Sequence, residues 1–254
     1  MRMDQPKIIY WNGKELGQIW GYTTLGMAKT DEEMAAHIAK HNQDRLAQGQ
    51  KFWRAGDIMY KNLDDNPEIS NGDNTADNPG DLSIIGNSTP RYRFGLILGA
   101  DYKGFDLSVM LQGVAKRDYW LGGMIFWGID GGQWNSTGYE EHWNFFRPEG
   151  DPLGANLNAY FPRPILDNNQ NHHVQSGYLQ NASYIRLKNL QLGYTLPVSM
   201  TRSFNVEKIR VFFSGDNLWT GTKISKNFDP ELLYQNGMTY PLARTLSCGL
   251  SITL

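Results

Sequence analysis

The 254-residue sequence lacks much of what common functional classes require. It contains one cysteine, Cys248, which excludes an internal disulfide and a zinc site built on paired cysteines. Its formal charge of -2 provides no basic field to attract nucleic acid. No apolar run approaches the roughly 20 residues that a membrane-spanning helix needs. We therefore expect neither a nucleic-acid partner nor a helical membrane anchor.

Enzyme signatures are also missing. The sequence has no Gly-x-Ser-x-Gly, no His-Glu-x-x-His and no glycine loop of the kind that cradles phosphate. Its histidines, including His142, His172 and His173, show no ligand spacing on a regular element. We predict that the chain is not an enzyme and has no catalytic residues.

Alternation of apolar and polar residues is the main positive signal. It is clearest over residues 91–102 and continues after a tight turn at Lys103 and Gly104 over residues 105–116. The same period predicts strands over 182–196, 207–219 and 243–254, and a weaker one over 15–27. Within 182–196 the apolar residues Ile185 and Leu187 fall out of step with the alternation that follows them. This change predicts a bulge or, if the strand crosses a membrane, a strand end outside it.

The connections between these strands alternate between long and short. Long connections follow residues 27, 117 and 220, whereas the turns after 102 and 196 are short. This alternation is typical of outer-membrane barrels, whose extracellular loops are long and whose periplasmic turns are short. We predict an all-β fold of the antiparallel outer-membrane barrel type, with about six strands and three long extracellular loops.

Several sequence blocks resemble the C-terminal part of the SusC/RagA family of TonB-dependent transporters. Residues 56–63 (Gly-Asp-Ile-Met-Tyr-Lys-Asn-Leu) and 84–92 (Ile-Ile-Gly-Asn-Ser-Thr-Pro-Arg-Tyr) match two of its segments. Residues 181–190 (Asn-Ala-Ser-Tyr-Ile-Arg-Leu-Lys-Asn-Leu) match a third. Further matches lie at 16–22, 193–197, 214–219 and 240–245. The blocks follow the family order over nearly the whole chain.

The resemblance implies a function and a set of partners. Members of this family are outer-membrane active transporters that import oligosaccharides or peptides together with a SusD-like surface lipoprotein, and TonB energises them. The resemblance implies that residues 1–254 form the C-terminal part of a large antiparallel outer-membrane β-barrel, embedded in outer-membrane lipid. The plug domain, which carries the TonB contact, and the export signal are then expected upstream. A soluble β-sandwich that binds carbohydrate is the alternative.

Aromatic residues in the second long connection are candidate ligand contacts. Aromatic rings stack on sugars or anchor protein partners, although they also pack long loops against themselves. The candidates are Trp120, Trp127, Trp134 and Trp143.

Polar residues in the strands are candidates for the inner face of the barrel. Side chains of one parity should face the lumen, where they contact either substrate or the plug. These residues are Arg91, Arg93, Asp101, Asp106, Gln112, Lys116, Arg210 and Asp216.

One acidic segment has a weak calcium-like spacing. Asn62, Asp64, Asn66 and Asp73 stand at positions one, three, five and twelve of a calcium loop. Pro67 occupies the position at which such a loop needs glycine for its sharp turn. We therefore expect no cofactor and no metal, with calcium as the weaker alternative.

Overall fold

The structure, a computed structural model, describes residues 13–47, 52–75, 77–130, 132, 136–166 and 168–254. The chain divides into two compact units. The loop unit comprises Met1–Thr89, Asp118–Gln180 and Leu233–Gly237, and the sheet unit comprises Pro90–Arg117, Asn181–Leu232 and Met238–Leu254. Much of the length predicted as loops thus forms a folded unit of its own.

Strands dominate the secondary structure. In chain order the strands are β1 (Gln18–Tyr22), β2 (Thr24–Met27), β3 (Ile58–Tyr60), β4 (Leu82–Asn87), β5 (Tyr92–Tyr102), β6 (Phe105–Ala115), β7 (Asp118–Tyr119), β8 (Gln180–Asn181), β9 (Tyr184–Thr195), β10 (Lys208–Thr222) and β11 (Thr245–Thr253). The α-helices are α1 (Asp31–Lys40), α2 (Met124–Trp127) and α3 (Val198–Thr201). Short 3-10 turns occupy Asp44–Leu46, Glu140–Trp143, Ser176–Tyr178, Arg202–Phe204 and Tyr234–Gly237. In the described residues no helix is long and apolar enough to span a membrane.

The sheet unit is built on five antiparallel strands in the order β11, β10, β9, β6, β5. Strands that follow one another along the chain within this sheet are therefore hydrogen-bonded neighbours. Between β5 and β6 the predicted turn is formed by Lys103 at φ 48° and Gly104 at φ 88°. Two positive φ values are what a two-residue hairpin of matching twist requires. Strands β5 and β11 are the edges, and the sheet does not close within the described residues.

A bulge lies where the parity of the third predicted strand slips. Asn189 pairs with Met110 on β6, but the next pairing joins Leu187 to Leu111, so Lys188 is the extra residue. Strand β10 shows a matching irregularity between Asp216 and Trp219. After the bulge Leu187 lies on the same face as Leu111. The predicted bulge is confirmed, and it keeps the two faces of the sheet distinct.

The loop unit holds the remaining regular elements. Antiparallel pairs form between β1 and β4 and between β2 and β3. Thr30 caps α1 by accepting a hydrogen bond from the Glu33 N–H at 3.2 Å. The core of the loop unit contains buried apolar side chains from distant segments, among them Met34, Ile58, Tyr60, Ile69, Leu121 and Phe126.

The first predicted strand differs from expectation. Residues 15–27 were expected to be a single strand among about six in the barrel wall. They form β1 and β2, which pair with β4 and β3 in two small sheets instead of joining the five-stranded sheet. The alternation over 15–27 correctly indicates strand, but alternation does not identify the pairing partner.

Candidate functional site

One face of the five-stranded sheet is apolar and uncovered. The register aligns Leu98 with Val109 and Val211 with Leu250 on this face. Its exposed large apolar side chains are Tyr92, Phe94, Leu96, Leu98, Tyr102, Phe105, Leu107, Leu192, Val211, Phe213, Trp219, Leu246, Leu250 and Ile252, with exposed fractions of 39% to 69%. A soluble sandwich packs such a face against a second sheet. This surface is instead suited to an apolar surrounding.

The opposite face is polar. Register places on it six of the polar residues that the sequence nominated, Arg93, Asp101, Asp106, Gln112, Arg210 and Asp216. The other two, Arg91 and Lys116, lie just beyond the ends of β5 and β6. There the Arg91 N–H donates to the Lys116 carbonyl at 3.2 Å.

An ion pair crosses this polar face over a glycine. Arg210 on β10 donates from Nε to Asp106 Oδ1 on β6 at 2.9 Å. Gly193, on the strand between them, pairs with Asp106 in the register. A Cβ atom on Gly193 would lie 2.5 Å from both Arg210 Nη2 and Asp106 Oδ1. The glycine therefore makes room for the charged pair.

A second charged cluster lies on the same face, and sequence reasoning missed it. Arg186 is only 3% exposed, and its Nη2 donates to both carboxylate oxygens of Asp229 at 2.8 Å. Lys188 donates to Glu231 at 2.8 Å, and Arg186 Nη1 lies 3.0 Å from the same Glu231 carboxylate. These bonds tie the connection between β10 and β11 to the sheet.

The sequence separation explains why this cluster was missed. Arg186 and Asp229 are 43 residues apart, and the two carboxylates belong to a connection without periodicity. The signal available in the sequence was an arginine between two strand residues of apolar type, Ile185 and Leu187. That signal nominates a residue on the polar face but not its partners.

In the loop unit a buried carboxylate organises several segments. Asp57 is fully buried and accepts hydrogen bonds at 2.8 to 2.9 Å from the Arg54 N–H and from the side chains of Arg163, Gln170 and Asn171. Burial raises the pKa of Asp57, and the hydrogen bond from Arg163 opposes that rise. The four donors satisfy a group that would otherwise be costly to bury.

The candidate tryptophans are not equivalent. Trp120 and Trp127 are 7% and 6% exposed and lie in the aromatic core, with ring centroids 6.0 Å apart. Trp143 is 64% exposed. Trp134 lies outside the described residues. Trp120 therefore serves packing, whereas Trp127 and Trp143 also border an open space.

That space is a cavity of about 310 Å³ within the loop unit. Its described lining consists of Trp127, Gly128, Ile129, Ser136, Thr137, Gly138, Tyr139, His142, Trp143, Phe145, Phe161, Pro162, Arg163, Pro164 and His172. The ring of His172 stacks on Trp127 with centroids 4.3 Å apart and planes 20° apart. Cavities of this size are typical of small-ligand sites.

The acidic segment uses its side chains to form turns. Asp64 accepts from the Asn66 N–H at 2.9 Å, and Asn66 accepts from the Glu68 N–H at 3.1 Å. Asn62 donates to the Asn66 carbonyl, and Asp73 accepts from the Asn78 side chain at 2.8 Å. Among the described residues, no three His, Cys, Asp or Glu side chains are grouped as metal ligands.

Comparison with known proteins gives relatives but no matching protein-family model. The chain is similar to TonB-dependent receptor P3 of Formosa agariphila, with 32% identity over 214 residues that cover 78% of this chain and 19% of the receptor. It is also similar to TonB-dependent receptor P39 of that organism, with 25% identity over 251 residues that cover 87% of this chain and 22% of the receptor. The chain spans about a fifth of the length of these curated relatives.

Solved structures show the same fold. A chain in the structure of the RagAB peptide transporter has a TM-score of 0.60 and 22% identity, covering 92% of this chain and 22% of that one. The RagAB peptide importer in its closed-closed state gives a TM-score of 0.59 and 21% identity, covering 94% and 23%. The predicted fold class, an all-β segment of a large antiparallel barrel of outer-membrane type, is confirmed.

The crossing of Gly193 by the ion pair gives a first prediction. We expect Gly193→Ala to lower the urea midpoint of unfolding, because the new Cβ displaces the Arg210–Asp106 pair. Gly99→Ala is the matched control on the same face, since its Cβ would meet only the Leu107 carbonyl at 3.9 Å. Removing a glycine from a strand there should leave stability unchanged or raise it by about 0.5–1 kcal/mol. Equal midpoints for the two variants would contradict the assigned role of Gly193.

Two partly buried histidines give a prediction about pH. Burial lowers the pKa of His173, whose Nε2–H donates to the Leu46 carbonyl at 2.6 Å, and burial also lowers the pKa of His37. The unfolded chain protonates a histidine near pH 6.5, whereas the folded chain does so only at lower pH. The free energy of unfolding should therefore fall as pH drops below that value, by at most about 1.4 kcal/mol per pH unit for each histidine.

Urea unfolding at about pH 7.5 and about pH 5.5 measures this loss. His173→Gln keeps an N–H donor for Leu46 but does not titrate, so the decrease on acidification should be smaller in that variant. An unchanged pH slope in His173→Gln would show that His173 does not contribute to it.

Proposed function

We propose that this chain, a SusC/RagA-like segment of a TonB-dependent transporter, forms part of the wall of an outer-membrane β-barrel that imports oligosaccharides or peptides. The resemblance of its sequence blocks to that family is confirmed by relatives that are themselves TonB-dependent receptors. The proposal rests chiefly on one observation, an uncovered apolar sheet face backed by a charged and polar one.

The apolar face supports contact with lipid. Its strands have 11, 11, 12, 15 and 9 residues, comparable with the roughly 9–11 residues with which a tilted strand crosses a bilayer. The backbone groups of the three inner strands pair within the sheet, as hydrocarbon requires, and the open sides of β5 and β11 would pair with further strands of the complete barrel. A soluble sandwich would need a second layer over this face, and its side chains are exposed instead.

The polar face supports a position towards the lumen. Arg210 with Asp106, and Arg186 with Asp229, neutralise one another across strands or between strand and connection. Such pairs are costly against hydrocarbon but tolerable in a wet or protein-filled interior. In the complete transporter this face would line the path of the substrate or contact the plug.

The partners follow from the same proposal. A SusD-like surface lipoprotein would cover the extracellular side, and the long connections of this chain would lie beneath it. TonB would act through a part of the transporter outside these residues. The chain would contribute binding and wall surface but no catalytic chemistry.

Two neighbouring residues at the middle of β5 test the orientation of the sheet. Leu98 lies on the apolar face and Ile97 on the polar face, and both are exposed, at 51% and 71%. In the complete transporter, Leu98→Arg should reduce the free energy of unfolding from phospholipid vesicles by about 2–4 kcal/mol more than Ile97→Arg. The two substitutions introduce the same charge, so their difference reports the surroundings of each face.

Guanidinium unfolding in vesicles, followed by tryptophan fluorescence, provides the measurement. Losses of equal size, or a larger loss for Ile97→Arg, would sink the proposed orientation and with it the barrel-wall function.

A further inference from the structure

We propose that the cavity of the loop unit binds an apolar side chain of an oligopeptide, aromatic in size, and that it does not bind a sugar ring. The inference deepens the proposed function, on which it rests for the delivery of such a ligand. It rests on the hydrogen bonds that the polar groups of the cavity wall already make within the protein.

The apolar part of the wall is made of rings. Trp127 and Phe161 are buried side chains whose surfaces border the cavity, with centroids 6.5 Å apart. Trp143 stands at the exposed side, where Arg147 lies over its ring at 6.0 Å from the centroid. Ring walls of this kind bury an apolar or aromatic group with favourable edge and face contacts.

Several polar side chains of the wall are already bonded inside the protein, and His172 Nδ1 lies 3.3 Å from Asp130 Oδ1. His142 accepts the Tyr139 N–H on Nδ1 at 3.0 Å and donates from Nε2 to the Phe126 carbonyl at 2.9 Å. Both ring nitrogens of His142 therefore already have a backbone partner. The hydroxyl of Ser136 donates to the Gly132 carbonyl at 3.2 Å.

Arg163, the charged residue of the wall, is bonded through Nη2, whereas its buried Nε makes no hydrogen bond within the described residues. Arg163 donates from Nη2 to Asp57 at 2.8 Å and to the Phe52 carbonyl at 2.9 Å. The described lining contains no carboxylate that would pair with a cationic ligand. A cationic group entering the cavity would lose its hydration without gaining an anionic partner from the described lining.

These internal hydrogen bonds make the cavity better suited to a peptide side chain than to a sugar. A hexose presents a hydroxyl on most ring carbons, and each needs a partner when water is removed. Beyond the bonded groups, the hydroxyls of the described lining belong to Thr137 and Tyr139. Those two positions suit the backbone that flanks an apolar side chain better than the full set of sugar hydroxyls.

Gly138 provides a way to fill the cavity. It belongs to the lining, its φ lies outside the left-handed region, and a Cβ atom placed there meets nothing within 4 Å. Gly138→Leu should therefore occupy the space without straining the backbone. Trp143→Ala removes an exposed wall instead, and Tyr240→Ala, at a 93% exposed tyrosine outside the lining, is the control.

The experiment measures binding of three probes to the full chain in detergent micelles by isothermal titration calorimetry. The probes are acetyl-Gly-Phe-Gly-amide, acetyl-Gly-Gly-Gly-amide and maltotriose. The phenylalanine peptide should bind at least about ten-fold more tightly than the glycine peptide, the gain expected from burying one aromatic side chain. Maltotriose should not bind.

Both cavity variants should weaken the phenylalanine peptide, Gly138→Leu by about ten-fold or more, while Tyr240→Ala leaves its affinity unchanged. Near-ultraviolet circular dichroism checks that each variant keeps its aromatic packing. No binding of the phenylalanine peptide, equal or tighter binding of maltotriose, or an unchanged affinity in folded Gly138→Leu would overturn the inference. Because this readout needs neither transport nor lipid, its failure is distinguishable from a failure of the Leu98 and Ile97 comparison.

Discussion

Side chains alternate between the two faces of a β-strand, and this constraint determines nearly everything that the five-stranded sheet can do. A shift of one residue in the pairing would move the apolar set of a strand onto the charged face. The bulge at Lys188 absorbs such a shift, so that Leu187 returns to the apolar face and Arg186 to the polar one. The separation of the faces is therefore maintained by local backbone geometry as well as by composition.

The polar groups of both units follow one physical rule. Asp57 and Arg186 each bond to several partners from distant segments, and Asp106 bonds to Arg210 on another strand. Removing such a group from water is costly unless its hydrogen bonds are replaced. In the loop unit, Asp57 also positions Arg163, whose side chain lines the cavity. The bonds that stabilise this unit therefore also shape its candidate binding space.

Sequence patterns predicted the local structure well and the long-range pairing poorly. Period-two alternation located all five strands of the sheet to within a few residues, and even a parity slip was interpretable as a bulge. Alternation cannot report which strand is the partner, so β1 and β2 were placed in the wrong sheet. The partners of Arg186 were out of reach for the same reason, since nothing local connects it with Asp229.

Aromatic residues show a related limit. Trp120 and Trp143 are alike in sequence, yet one is buried in the core and the other is exposed beside a cavity. Their roles depend on which rings pack around them, and residues from several segments decide that. Composition alone does not separate packing residues from residues that line a cavity.

The most direct test of the account uses the natural cysteine. Cys248 lies on the apolar face of β11, opposite Phe213, and its neighbour Ser247 lies on the polar face. A nitroxide label on Cys248 of the complete transporter in lipid vesicles should be relaxed by oxygen and protected from a water-soluble nickel chelate. The same label in Ser247→Cys with Cys248→Ser should show the reverse. If both positions favour the nickel chelate, the sheet does not face lipid and the barrel-wall account fails.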